Sequence, residues 1–550
     1  MLDGQRQPPV ALARRYRENG WWRARTILDD FLDAAARDPD RIAIVQYRQG
    51  RQAREVLTFG ELKALSDRFA LALVDHGVEP GDIVALQLPN WWQAAALAIA
   101  CMRVRAVPNP IVPIFREREM RFIMERTGAR LLFVPDRFRN FDHAALAHQL
   151  CRDVATLEHV FVVEGEGSEL FRERFVERPE DGVRSLARAL PVGSDICELQ
   201  FTSGTTGEPK GVLHSYDSFY CSALAFPNCL GLGRDDVCFS ASTIGHQTGY
   251  LYGMLMPLSM GIKVVFQDVW NAEQMVRVSD EEGITFMCAA TAFVLDTIEA
   301  RGVLGRGMEA FRLFISAGAP IPEHVARAVQ DRLGARLVTM WGMTENGVNT
   351  CTRPDDDVAA VSGSDGRPVP WSEVRIVDET GMPVAVGEVG EVEIRSAGQC
   401  AGYFGRPDLY AEAETEDGFF RSGDYARLCL DGGIRITGRK KDLIIRGGEN
   451  VPALEIESLL VALDAVAEVA VVGYPDDRLG ERACAVIVPA GRPVTLADAQ
   501  DCLRAAGMAK QYWPERVVNV EALPRTPAGK VKKFMLREQA AVQAEPSLSA

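Results

Sequence analysis

Four brief β-prone runs, at residues 261–267, 284–288, 313–316 and 337–340, recur with helical segments between them. Short apolar strands that alternate with helices bury both sheet faces only when the helices cover them, so this order predicts a layered, largely parallel α/β sheet. The N-terminal region repeats the theme. Thr58 and Glu61 form a capping box, Leu62, Leu65, Phe69 and Leu73 then fall on one helical face, and Gly77 ends the helix. Residues 82–88 follow as a strand closed by Pro89, with a new helix starting near Asn90. After Gly381 the period changes. In Gly390-Glu391-Val392-Glu393-Ile394-Arg395 apolar residues take every second place, the mark of an antiparallel strand with one wet face, and this predicts a small β subdomain. Beyond Gly438 a further unit follows: helix over 454–463, strands over 469–472 and 485–488, and helix over 495–506, a compact α+β domain of roughly a hundred residues. The polar run Gly438-Arg439-Lys440-Lys441-Asp442 between the parts reads as a hinge or a charged turn.

A chain of 550 residues exceeds one small core, and 47% hydrophobic with 25% charged residues is an ordinary globular composition. The net charge of -15 and the lack of a basic stripe argue against nucleic acid as a partner. Twelve cysteines lie without a CxxC pair, which suggests neither zinc nor a disulfide framework and points to a reducing cytoplasm. No signal-peptide core, transmembrane stretch or C-terminal peroxisomal address is read. The basic segment from Arg14 to Arg25, with Trp21 and Trp22, suits either an anionic membrane surface or a solvated arm packed on the large domain, and the arm is the ordinary reading.

The chemistry is concentrated in Thr202-Ser203-Gly204-Thr205-Thr206-Gly207-Glu208-Pro209-Lys210-Gly211, which follows an apolar stretch. Gly204 and Gly207 let backbone N–H groups face an anion, the hydroxyls add donors, and Lys210 adds charge, so a nucleoside triphosphate is the expected ligand. The lysine spacing is not that of a Walker loop. At the end of a β-prone run, where open α/β sheets bind ligands, stands Trp341-Gly342-Met343-Thr344-Glu345: an aromatic face, a hydroxyl and a hard carboxylate. Arg421-Ser422-Gly423-Asp424 offers a carboxylate suited to a pair of vicinal hydroxyls. Pro524-Arg525-Thr526-Pro527-Ala528-Gly529-Lys530 presents one lysine on a stiffened loop.

These motifs, in this order, resemble those of the adenylate-forming superfamily, which includes acyl-CoA synthetases, amino-acid adenylation domains and luciferases. The resemblance implies a large N-terminal AMP-binding and acyl-pocket domain over 1–438 and a small mobile domain over 439–550. It implies that Trp341 stacks on adenine, Thr344 bonds the α-phosphate and Glu345 holds Mg2+. Gly318 and Ala319, in Ser316-Ala317-Gly318-Ala319-Pro320, would form the adenine-side turn; Asp424 would hold the ribose, and Arg439 the ribose or phosphate. Relatives usually have tyrosine at position 341 and a polar amide at 340, where this chain has Trp341 and Met340. Lys530 would be the catalytic cation of adenylation. Rotation about Lys441 would then bring Gly447 and Gly448 to line a tunnel for coenzyme A.

In Gly245-His246-Gln247-Thr248-Gly249-Tyr250 the resemblance puts His246 beside the substrate carboxylate, in a mechanistic or a structural role. Residues 242–250 carry no aspartate to pair with an ammonium group, which favours an uncharged acyl tail. The implied activity is that of an acid–CoA ligase using ATP, Mg2+ and CoA. The narrower likeness is to bacterial ligases for cyclohexanecarboxylate and medium-chain fatty acids. A ligase loading a carrier protein and a non-catalytic AMP-binding module are the alternatives.

Overall fold

The structure is a computed structural model that describes residues 2–50, 54–179, 186, 190–202, 209–317, 321–442, 444–446, 449–476, 478–508, 510–525 and 531–542. Among these residues the largest sheet has nine strands, in the order Arg367–Pro368, Gly347–Cys351, Arg336–Met343, Leu313–Ala317, Phe286–Ala289, Val237–Ser240, Lys263–Gln267, Ile42–Tyr47, Glu55–Thr58. From Arg336–Met343 to Ile42–Tyr47 every neighbour is parallel, and antiparallel strands close both edges. A second sheet, of Val107–Pro110, Ile83–Leu86, Leu131–Val134 and His159–Val162, is wholly parallel. The expected alternation is thus realised as two parallel layers.

Helices cover these sheets as the apolar periodicity requires. In Phe59–Asp75 the Glu61 N–H donates to Thr58 Oγ1 at 3.2 Å, and the Glu61 side chain accepts from the Thr58 N–H at 2.8 Å. Leu62, Leu65, Phe69 and Leu73 are all buried. Phe69 meets Phe171 and Phe175 edge-on, with centroids 5.4 and 5.7 Å away, and burying each such ring contributes about 1.5–3 kcal/mol. Trp92–Val104 packs alongside with almost its whole surface buried, as a helix between two layers must.

The antiparallel subdomain comprises Ser372–Val377, Val389–Ser396, Phe420–Leu428 and Ile434–Arg439, and it begins before Gly381, where the alternation was expected to start. The cause is visible at 372–377, where Ile376 enters the core while Glu373 and Arg375 face outward into ion pairs. Beyond it the C-terminal unit pairs Val466–Asp476 with Gly480–Pro489 and adds Arg516–Asn519 in parallel, with helices Ala453–Leu460 and Leu496–Ala505 over the sheet. Within the joining segment Arg439 is the last residue of a strand, paired with Asp424; only Lys440–Asp442 forms a turn. The basic arm packs as expected: Trp22 donates to the Ala397 carbonyl at 2.8 Å, and Arg17 pairs with buried Asp217 at 3.0 Å.

Candidate active site

Ile196–Thr202 and Lys210–Ser215 form an antiparallel ribbon in which Lys210 opposes Thr202, Val212 opposes Gln200 and His214 opposes Glu198. Directly opposed residues share a face, so alternate positions divide the ribbon in two. Leu199, Phe201 and Leu213 enter an apolar core. Thr202, Lys210, Gln200, His214 and Glu198 line the other face. The segment 401–404 extends that ribbon: Ala401 N–H donates to Leu213 O, Leu213 N–H to Gly402 O, and Phe404 N–H to Gly211 O, with Tyr403 bridged to Val212. Tyr403 therefore joins the polar face, where Lys210 Nζ lies 4.8 Å from its ring centroid. The N-terminal segment braces this loop so closely that a Cβ on Gly4 would stand 2.0 Å from the Tyr403 carbonyl oxygen.

Against the ribbon stands the end of Arg336–Met343. Its chain turns tightly, because a Cβ on Gly342 would lie 2.1 Å from Gly347 O, and Gly347 adopts φ +64°. Tyr403 Oη donates to Glu345 Oε1 at 2.8 Å, and the Cys400 N–H donates to the Glu345 carbonyl at 2.6 Å. Burial, reinforced by the Glu345 carboxylate, holds the Tyr403 phenol far above its ordinary pKa and keeps it a donor. His214, fully buried, stands 2.6 Å from the Thr344 carbonyl through Nε2 and 3.1 Å from Ser218 Oγ through Nδ1. Burial lowers its pKa to about 4, so the ring is neutral, and the short contact to a carbonyl puts the proton on Nε2. Trp341 Nε1 donates to Asp424 Oδ2 at 2.9 Å, and Arg439 Nε pairs with Asp424 Oδ1 at 3.0 Å. The indole packs among Ile376, Val392, Ile394, Ala426 and Ile434.

A third wall comes from residues 242–255. Asn90 clamps it by donating to the Ser240 and Ser242 carbonyls and accepting from the Ile244 N–H at 3.0 Å. Gln200 reaches across from the ribbon to Gly245 O at 3.2 Å. His246 is half-buried, and its carbonyl accepts the N–H groups of Gly249 and Tyr250 at the start of the π-helical turn Thr248–Leu255. Gln247 lies 3.2 Å from His214, which ties this wall to Thr344.

Lys210, Thr202 and Glu345 are thus joined through Tyr403, Trp341 and Arg439 meet on Asp424, and the segment 341–345, which includes Gly342 and Thr344, links the two groups; His246 is the chain neighbour of Gln247, which lies against His214. Ser203, Gly204, Thr205, Thr206, Gly207, Gly318, Ala319, Gly447, Gly448 and Lys530 lie outside the described residues, and Lys441 falls in the Lys440–Asp442 turn. Sequence reasoning missed Tyr403, His214, Gln200 and Asn90. The alternation Glu198-Leu199-Gln200-Phe201-Thr202 was a signal for the ribbon face; Tyr403 and Asn90 carry none of their own, because distant segments give them their contacts.

Residues 31–404 match the family model described as AMP-binding enzyme, and 455–530 match that of the AMP-binding enzyme C-terminal domain. The chain is 31% identical over 525 residues to the medium-chain fatty-acid–CoA ligase of Escherichia coli, covering 95% of this chain and 92% of that protein. It is 33% identical to the salicyl-AMP ligase / salicyl-S-ArCP synthetase of Mycobacterium tuberculosis over 98% of this chain and 95% of that protein. The ATP-bound crystal structure of MatB from Rhodopseudomonas palustris superposes with a TM-score of 0.83 at 26% identity, over 94% of this chain and all of that one. A large N-terminal domain, a small C-terminal domain and this set of motifs together define the chain as a member of the AMP-binding enzyme family, an adenylate-forming acid–thiol ligase.

Proposed function

We propose that this protein is an ATP-dependent carboxylic acid–CoA ligase acting on an alicyclic, cyclohexanecarboxylate-like acid or a medium-chain fatty acid. The observation that carries the reading is the junction of two contact chains, Lys210–Tyr403–Glu345 and Trp341–Asp424–Arg439, through the single segment 341–345. One chain offers a cation and a carboxylate to phosphates, and the other offers an aromatic and a carboxylate to a nucleoside. Each Asp424 oxygen keeps a second lone pair beside its bond to Trp341 or Arg439, so a ribose diol can donate to both. The Thr344 hydroxyl binds the α-phosphate, and the His214 contact to its carbonyl fixes the backbone from which that hydroxyl projects.

Tyr403 engages Oε1 of Glu345 and leaves the second carboxylate oxygen, Oε2, to face a ligand. One free carboxylate oxygen beside a phosphate site fits Mg2+, which is commonly held by one or two carboxylates with substrate phosphates, and the ion would neutralise phosphate charge. Among the described residues no group of three or more metal-ligating side chains offers an all-protein cage. In the first half-reaction a carboxylate oxygen of the acid bonds to the α-phosphorus and the bond to pyrophosphate breaks. Lys530 screens the approach of the two anions. In the second, the CoA sulfur attacks the acyl carbonyl, its proton passes to solvent and AMP leaves with the bonding pair. The chain divides at 438/439, and rotation about Lys441 exchanges Lys530 for the Gly447-Gly448 loop. A reducing cytoplasm suits the twelve unpaired thiols.

The likeness to a ligase that forms a carrier-bound thioester supports one other reading, delivery to a carrier protein. Pyrophosphate release and thioester formation, measured over a panel of acids with and without CoA, separate the two. The proposal expects acid-dependent pyrophosphate release and an acyl-CoA product with a cyclic or medium-chain member of the panel. Adenylate without thioester in the presence of CoA would favour the carrier, and no pyrophosphate with any acid would overturn both.

A further inference from the structure

Glu198 is fully buried on the polar face of the ribbon, four residues before Thr202. At 3.3 Å per residue that is about 13 Å along the strand from the phosphate end, comparable with a medium-chain acid or a substituted ring once the reach of the side chains is taken off. Its face is the one that handles the acid and the nucleotide. Gln200, two residues on, bonds to Gly245 O; His214, directly opposite, bonds to Thr344 O and lies beside Gln247.

Neither Glu198 carboxyl oxygen has a hydrogen-bond partner among the described residues. The same is true of Gln200 Oε1 on this face and of the Tyr250 hydroxyl on the π-helical turn Thr248–Leu255. The Tyr250 phenol feels the Glu198 carboxyl, although burial dominates the rise in its pKa. Protein interiors leave few buried polar atoms unpaired, so four such atoms on two walls of an acid-handling site point to a ligand that bonds them. Burial also raises the Glu198 pKa to about 8, which leaves a neutral carboxyl able to donate and accept at once. That chemistry matches a hydroxyl rather than a hydrocarbon or a cation.

Resting on the ligase reading above, we propose that Glu198, with Tyr250, is the specificity-determining group for the far end of the acid, and that the preferred acid carries a hydroxyl remote from its carboxylate.

The test is pyrophosphate release with matched acids: cyclohexanecarboxylate against 4-hydroxycyclohexanecarboxylate, and hexanoate and octanoate against their ω-hydroxy and ω-amino forms. The wild type is expected to favour a hydroxylated member at least tenfold in kcat/KM, because a site built to bond a hydroxyl discriminates against the analogue lacking it. Glu198→Gln, which still donates and accepts, keeps most of that preference, and Glu198→Leu abolishes it, read as the ratio of kcat/KM between the hydroxylated and the plain acid. Equal treatment of every pair, preference for an ω-amino acid, or a hydroxyl preference unchanged in Glu198→Leu would overturn the proposal. If Glu198→Leu does not fold, the wild-type comparison with Tyr250→Phe decides by the same criterion. Turnover of plain and hydroxylated acids alike sinks only this inference; absence of pyrophosphate with every acid sinks the ligase reading and this inference with it.

Discussion

Tyr403→Phe isolates the contact that fixes Glu345. The substitution removes one atom from a residue 2% exposed and leaves its ring against Tyr410, 5.6 Å away between centroids, and under Lys210 Nζ. What is lost is the 2.8 Å bond to Glu345 Oε1. A hydrogen bond to a charged group contributes about 1.5–3 kcal/mol. If the bond serves mainly to hold the carboxylate for catalysis, that loss falls on the transition state and slows acid-dependent pyrophosphate release by roughly ten- to a hundredfold. Because the phenol touches Glu345 and not the nucleoside chain through Asp424, KM for ATP should change little, and the Mg2+ concentration for half-maximal rate should rise. Initial rates over a Mg2+ titration, at saturating ATP and acid, measure both. A Tyr403→Phe enzyme with wild-type kcat and an unshifted Mg2+ curve would refute the argument, as would an equal loss in Mg2+-independent thioester formation from supplied acyl-AMP.

Lys530→Ala should slow adenylate formation by about a hundredfold or more while CoA transfer from supplied acyl-AMP survives; equal losses in the two half-reactions remove Lys530 from its role. Lys441→Pro, by restricting the backbone of the Lys440–Asp442 turn, should impair thioester formation more than adenylation, as rapid-quench measurement of each step will show. Glu198 also makes a stability prediction. Its pKa rises from 4.5 unfolded to about 8 folded, so the stability it confers is complete below about pH 4.5 and is lost as pH rises through 8, a change on the order of 5 kcal/mol. The thermal midpoint of Glu198→Gln relative to wild type should therefore climb between pH 5 and pH 9; a pH-independent difference would show that Glu198 is ionised in the folded protein.

The pattern of elements was legible because it depends on neighbours in sequence. The Thr58–Glu61 box, the Leu62–Leu73 face and the Glu391–Arg395 alternation each declare a local period, and each became a helix or strand. Trp341, Glu345 and Asp424 were legible for a different reason: their residue types, in an ordered set of motifs, resemble a known family. What escaped was everything set by a distant partner. Arg439 is polar and follows a glycine, which locally suits a hinge, yet a backbone pairing with Asp424 makes it the end of a strand. Tyr403 lies 58 residues from Glu345, and only the ribbon register brings the two together.

That register also connects the two halves of the site. Along one face it sets Lys210 and Thr202 at the end next to residues 203–208, Gln200 and Tyr403 in the middle, and His214 with Glu198 at the inner end. A slip of one residue would turn all of them into the core and bring Leu199, Phe201 and Leu213 into the site, so the apolar face fixes the polar one. Burial of three large side chains, at about 1.5–3 kcal/mol each, therefore maintains an arrangement whose polar members include a buried carboxyl that opposes folding at neutral pH. Removing apolar contacts on the far face should thus disturb acid and nucleotide handling together, whereas substitutions at Glu198 should alter the choice of acid and leave ATP binding intact.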